Sequence, residues 1–149
     1  VFLDGDYSDY PEEMPALLEP ILRGEADLVI GSRVLGNRQP GALLLQQRLG
    51  NALATWLILL LFGARYTDLG PFRAIRTDAL RRLQMQDRDY GWTVEMQVKA
   101  ARAGLRLAEV PVRYRRRLGV SKISGTVKGT FKAGYKIIAT ILRHSWSRR

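Results

Sequence analysis

Cysteine is absent from this chain, and histidine occurs once, as His144. The first absence excludes disulfides and thiolate metal sites. The second argues against a zinc centre built on imidazoles and against a Ser-His-Asp triad. Long apolar runs are missing too. The longest, Leu53 to Ala64, is about a dozen residues, where a membrane span needs about 20. It reads as a core helix ended by Gly63, and its hydrophobicity also suits a helix lying against lipid. Acids are outnumbered, 14 against 24 Lys and Arg, which gives a net charge of +10. The chain opens on an apolar stretch with neither Met nor the basic n-region of a secretory leader. It therefore reads as the C-terminal part of a longer protein.

What is present is an ordinary globular composition in 149 residues, 46% hydrophobic and 26% charged, enough for one domain with a real core. Strand and helix signals alternate. Val1 to Leu3 reads as a buried strand, Pro11 to Arg23 as a helix with Pro in its first turn, and Ala26 to Gly31 as a second strand. Residues 34–42 read as a mobile loop and 43–62 as a long helix. Phe72 to Arg76 is a short strand, Thr77 caps a helix to Leu83, and Thr93 to Ala103 is a helix closed by Gly104. Leu105 to Tyr114 is a strand whose Pro111 places it at a sheet edge. A loop at 119–125 and a helix over 126–146 complete the chain. This order predicts an α/β sandwich, with residues 1–118 forming the main domain and 119–149 a basic loop and amphipathic helix. An unpaired edge at Val1 would invite dimerisation.

The chemistry concentrates in Val1-Phe2-Leu3-Asp4-Gly5-Asp6-Tyr7-Ser8-Asp9. A strand ending in two carboxylates can hold a hard cation such as Mg²⁺ or Mn²⁺, which binds through one or two carboxylates plus substrate phosphates. The structural alternative is a strand-to-helix turn in which Ser8 or Asp9 caps the helix. At the other end the charge is positive. Arg113, Arg115 and Arg117 alternate, which puts them on one face of an extended segment, with Ser121 and Lys122 following as a possible cationic mouth for phosphate. Lys128, Lys132 and Lys136 make a stripe on the last helix, opposite Val127, Phe131, Ile138, Ile141 and Leu142. That pattern suits an anionic membrane surface or a solvated face of a packed helix. Arg33, just past a strand end, and Arg73 are candidates to position an anionic substrate, against simple pairing with an acid. Asp68 is either an Asx-turn residue or a group near the substrate or Arg73. Glu95, in the first turn of its helix, suits the helix dipole and is also a candidate general base.

Taken together, Phe-Leu-Asp-Gly-Asp at the start resembles the DxD motif of GT-A-fold, family-2 glycosyltransferases. Four further stretches, in order, resemble the polyprenyl-phosphate sugar transferase branch, similar to dolichyl-phosphate mannosyltransferases. They are Leu28 to Arg33, Gln47 to Asn51, Thr67 to Ala74, and Val110 to Arg115 with Gly119 to Lys122. The resemblance spans nearly the whole chain. It implies a GT-A-like (Rossmann-like) three-layer sandwich whose N-terminal nucleotide-binding half would precede Val1. It also implies a peripheral location at the cytoplasmic face of a membrane.

The activity the resemblance implies is inverting, metal-assisted transfer of a sugar from a nucleotide sugar to polyprenyl phosphate. Asp4 and Asp6 would hold the Mg²⁺ or Mn²⁺. Ser8 stands where the family tends to carry a metal-holding glutamine, so it would contribute a hydroxyl directly or through water. A lipid phosphate, with a second pKa of about 6, is already ionised and needs cationic positioning more than a base. Arg33, Asp68, Arg73, Arg113, Arg115, Arg117, Ser121 and Lys122 are the expected substrate-binding residues, with Asp6, Arg33, Arg73 and Glu95 nearest the chemistry. Two alternatives remain open on sequence: a soluble hydroxyl acceptor, with Glu95 as its base, and a non-catalytic basic module for acidic lipid or nucleic acid. Nucleic acid is not expected, because aromatics are not interleaved with the basic run apart from Tyr114.

Overall fold

A computed structural model describes residues 1–89, 91–119 and 127–146, and the side chains of these except 127–131. The centre is β1 (Leu28–Ser32), buried at all five positions. It pairs antiparallel with β2 (Arg73–Ile75) and parallel with β3 (Leu107–Pro111), in the order β2-β1-β3. The period of two along β1 divides the core. Val29 joins Leu17, Ala26, Phe72, Ala74 and Val112 under α1 (Met14–Leu22), while Leu28 and Ile30 face the opposite layer. That layer holds α2 (Leu45–Phe62), α4 (Trp92–Arg102) and α5 (Val127–Trp146), which supply Ile58, Met96, Val98 and Ile141 to the core. A short α3 (Thr77–Leu83) links β2 to the α4 side. Helices thus cover both faces of a mixed sheet, and the α/β expectation holds. β3 lies at an edge of the described sheet and ends on Pro111, where a missing N–H costs least.

Several local expectations are corrected. Val1 to Leu3 is not a buried strand: Phe2 exchanges two backbone bonds with Arg73, while Val1 and Leu3 are exposed. The helix after Pro11 begins as a 3-10 turn, Pro11–Glu13, without a side-chain cap. Asp9 turns back toward Asp4 instead. Arg76, not Thr77, is the N-cap of α3. The loop at 34–42 is tied down: Gln39 N donates to Tyr114 O at 2.8 Å, Tyr114 N to Asn37 O at 2.9 Å, and Arg116 Nε to Pro40 O at 2.8 Å. β3 stops where β1 does, at the Ser32–Pro111 pair with Val112 N on Ser32 O at 3.2 Å, and the chain beyond binds this loop.

The largest departure concerns α2. Gly63 ends it in a left-handed conformation, as expected, with its N–H on Leu59 O. Its interior is not the buried one predicted, for only Ala54, Thr55 and Ile58 are buried. Leu45, Leu49, Leu53, Trp56 and Leu60 recur at three- and four-residue intervals on a face open to solvent. On α5, Lys136 reaches Asp87 at 3.2 Å and Asp89 at 3.6 Å, so the lysine stripe is broken by packing against the α4 side. Lys132 is exposed, and among the described side chains of the helix Tyr135, Leu142 and Trp146 are the exposed large apolar ones.

Candidate functional site

β1 and β3 run parallel, and their carboxyl ends point the same way. Open α/β sheets place ligands at such ends. Three groups of residues meet there: the acidic loop Asp4 to Asp9, the Ser32-Arg33 exit of β1, and the basic segment after β3.

In the acidic loop, Asp6 Oδ1 accepts from the Ser8 amide at 3.0 Å and also from the Ser8 hydroxyl, while Arg117 approaches Asp6 Oδ2 at 2.7 Å. Burial opposes the Asp6 charge, but Ser8 and Arg117 outweigh it and hold the pKa below the usual carboxylate range. Asp4 moves the other way, raised by desolvation and then by the Asp6 charge. Asp9, 1% exposed, accepts no bond from the helix that follows it. Its Oδ2 accepts from the Asp4 amide at 3.2 Å, and its Oδ1 is buried with no hydrogen-bond partner. Burial pushes this carboxyl up to about 6, with the Asp4 and Asp6 charges adding to the shift.

Mutually repelling carboxylates and a buried acceptor without a partner fit a nearby cation. Among the described residues no set of three or more His, Cys, Asp and Glu is disposed to hold a metal ion alone. Two carboxylates completed by phosphate oxygens and water are, however, a normal Mg²⁺ or Mn²⁺ set. Ser8 fits such a set poorly as a ligand. It is fully buried and its hydroxyl is committed to Asp6, so its place is behind that carboxylate. Tyr7, between them, has a positive φ of 72°, uncommon for a bulky residue and worth about 1 kcal/mol or more of strain. Arg115 lies over its ring, 3.3 Å from the centroid. The adjacent Asp9 was legible as a carboxylate, but its burial was not.

Arg33 and Asp68 form the second group. The guanidinium grips both carboxylate oxygens, Nε to Oδ2 at 2.8 Å and NH2 to Oδ1 at 2.7 Å, and the Arg33 amide adds a third bond to Oδ2 at 2.8 Å. The cation also lies over Tyr114, 5.0 Å from its centroid. Burial opposes the Arg33 charge, but Asp68 outweighs it and the pKa is raised. Tyr114 is followed by Arg115, whose amide donates to Ser8 O at 3.0 Å and whose side chain takes the Tyr7 and Asp9 carbonyls, so the acidic loop lies beside Arg33. Asp68 therefore partners Arg33, not Arg73. Gly70 lets this loop approach β1: a Cβ there would lie 2.7 Å from Gly31 O.

Two proposed catalysts are placed elsewhere. Arg73 is fully buried, and its guanidinium donates to the carbonyls of Leu69, Gly70 and Thr93. Burial lowers its pKa to about 10, and it pins the 69–70 loop to the start of α4 instead of meeting substrate. Glu95 is 2% exposed, paired with Lys99 at 2.7 Å, and accepts from the Gln86 and Asp87 amides. Burial opposes its charge, but Lys99 and these amides prevail and lower the pKa. A carboxylate so held makes a poor base.

The expected shared face of Arg113, Arg115 and Arg117 exists, and it meets the acidic loop. Arg113 holds Glu13 at 2.6 Å, Arg115 donates to the Tyr7 and Asp9 carbonyls, and Arg117 holds Asp6. Arg113 thus braces the 3-10 turn, while Arg117 stands at the carboxylates themselves. Ser121 and Lys122, and the Lys128 side chain, lie outside the described residues.

Beside the Arg33–Asp68 pair are two cavities. One of about 740 Å³ runs along α2, lined by Leu45, Leu49, Trp56 and Leu59, with Arg38, Arg48 and Arg65 among its polar residues and Asp68 and Glu109 on its wall. Another of about 280 Å³ has Arg33, Gln46, Gln47 and Thr93 around it, with α5 contributing Ala133, Gly134 and Ile137. Arg38 and Arg65 were not singled out from the sequence, and Arg48 was quoted only within the Gln47 to Asn51 stretch, because nothing local distinguishes them from solvated arginines.

No protein-family model matches the chain. It is 37% identical over 138 residues to an undecaprenyl-phosphate mannosyltransferase of Micrococcus luteus, covering 87% of this chain and 54% of that protein. A glycosyltransferase of Mycobacterium tuberculosis without assigned function is 34% identical over 134 residues, 88% of this chain and 59% of the relative. A low-salt glycan biosynthesis hexosyltransferase of Haloferax volcanii is 29% identical over 128 residues, 85% of this chain and 31% of that protein. The chain spans roughly half the length of the first two relatives.

Proposed function

We propose that this chain, similar over most of its length to an undecaprenyl-phosphate mannosyltransferase and to other glycosyltransferases, is the metal- and acceptor-binding portion of a glycosyltransferase with a GT-A fold. The reaction would move a hexose from a nucleotide sugar to polyprenyl phosphate. One observation carries the reading. Arg115 ties the Asp4–Asp9 loop to its neighbour Tyr114, over whose ring Arg33 lies, and Asp68, the partner of Arg33, borders a leucine-lined cavity that also holds three arginines. Carboxylates suit a cation on a diphosphate, arginines suit a phosphate monoester, and the apolar cavity suits a prenyl chain.

In this reading Asp4 and Asp6 hold Mg²⁺ or Mn²⁺, with Ser8 fixing the Asp6 rotamer. The bound cation would neutralise the diphosphate charge left as the sugar departs. Arg33, its fork oriented by Asp68, would position the anionic oxygens of donor or acceptor, and Arg117 would turn from Asp6 to the diphosphate. An ionised lipid phosphate attacks without a general base, which agrees with a site whose buried Glu95 is committed to Lys99. A soluble hydroxyl acceptor is the weaker reading for the same reason.

The membrane contact would be made by the exposed leucines of α2 and by Tyr135, Leu142 and Trp146 of α5, not by the lysine stripe. No described helix is long and apolar enough to cross a bilayer. The test is transfer by the whole protein from a panel of nucleotide sugars, offering undecaprenyl phosphate and soluble hydroxyl acceptors side by side. Metal-dependent product on the lipid phosphate is expected. Product on a hydroxyl acceptor alone would overturn the acceptor assignment, and no product on either would overturn the reading.

A further inference from the structure

The loop Thr67 to Gly70 has no regular structure, yet side chains from several elements hold its backbone. Glu109 of β3 accepts from the Thr67 amide at 2.9 Å and the Asp68 amide at 3.2 Å. Gln97 of α4 donates to Asp68 O at 2.9 Å, and Arg73 takes the Leu69 and Gly70 carbonyls. Asn51 of α2 does two things at once. Its Nδ2 donates to Thr67 O at 2.9 Å, and its Oδ1 accepts from the Leu69 amide at 2.8 Å. One planar amide therefore brackets Asp68 on both sides, as a neighbouring strand would.

We infer that Asn51 is a positioning residue, which sets the direction of the Asp68 carboxylate and through it the orientation of Arg33. A carboxylate that must meet Nε, NH2 and a backbone amide together tolerates little rotation of its own backbone, because bidentate pairing is directional. Asn supplies one donor and one acceptor at fixed spacing. Asp lacks the donor, and Ala lacks both. Asn51 also borders both cavities, so the helix carrying the exposed leucines is the one that aims the arginine. The catalytic arm of this inference rests on the proposed function, whereas the structural arm does not.

Two readouts on the whole protein test it. The first is amide exchange at single-residue resolution. The Arg33 amide is protected by Asp68 Oδ2, so Asn51→Ala should speed exchange at Arg33 and Leu69 at least tenfold while leaving Val29 and Ile30 of β1 unchanged. The second is a double-mutant cycle on transfer to undecaprenyl phosphate with Mn²⁺. Outer partners of functional groups commonly contribute about 10–100-fold. Asn51→Ala should lower kcat by that order in the native background and by less than threefold beside Arg33→Lys. Unchanged exchange at Arg33, or the same loss in both backgrounds, would overturn the inference. If the native protein makes no product, the functional reading fails and exchange alone decides the role of Asn51. Should Asn51→Ala not fold, Asn51→Asp, which keeps the acceptor for the Leu69 amide and loses the donor to Thr67 O, carries both arms, with the same outcomes at Arg33.

Discussion

Arg73 keeps its charge at full burial because carbonyl oxygens at the loop and at the start of α4 replace its water. Glu95 does the converse, a buried carboxylate satisfied by Lys99 and two amides. Residue type and motif position single out both as candidate catalysts, but neither property says whether a charged group faces substrate or backbone. The distinction is measurable. With its folded pKa below the unfolded value of 4.5, Glu95 stabilises the fold above that value, and this contribution is lost as pH falls through the folded pKa. Glu95→Gln is therefore expected to cost about 1–2 kcal/mol at pH 7 and to converge with the native protein as pH falls through the depressed folded pKa of Glu95. Its turnover should stay within about threefold of native, whereas a general base would contribute about 10²–10⁴-fold. Thermal melts across pH and one kinetic assay check both statements.

At the scale of elements, α2 separates what pattern can and cannot tell. Its existence, its length and its Gly63 stop were legible from apolar content and a C-terminal glycine. Its environment was not, since an apolar run looks alike whether it faces a core or an open surface. The side it buries is narrow, and Leu49 and Leu60 are 63% and 64% exposed. Replacing both by Asp should leave the fold intact. Each leucine is worth about 1.5–3 kcal/mol on transfer from water, so binding of the whole protein to vesicles should fall at least tenfold. Sedimentation with anionic vesicles measures this, and unchanged binding would remove α2 from the membrane contact. The acidic loop gives a similar lesson. Asp-Gly-Asp was visible, while the bond from Asp9 to the Asp4 amide and the commitment of Ser8 to Asp6 depend on a turn through Tyr7 at positive φ. A bulky residue in that conformation leaves no sequence signal.

Across the whole molecule, the α/β order was readable because β1, β3 and their intervening helices keep their periodicities. Of the expected site residues, the structure pairs Arg117 with Asp6 and Arg33 with Asp68 near the carboxyl ends of β1 and β3. Asn51 was visible only as the end of the Gln47 to Asn51 stretch, with no role attached, and Gln97 and Glu109 not at all, because all three reach the loop at 67–70 from distant parts of the chain. The central claim is that the acidic loop and Arg33 belong to one phosphate-handling centre. It is tested most directly by metal-titrated sugar transfer to undecaprenyl phosphate, comparing the native whole protein with Asp6→Asn and with Arg33→Lys. The account predicts activity that requires Mg²⁺ or Mn²⁺. Asp6→Asn should weaken the apparent metal affinity, and each variant should lose at least a hundredfold in kcat/KM. Transfer that proceeds without metal, or that survives both substitutions, would contradict it.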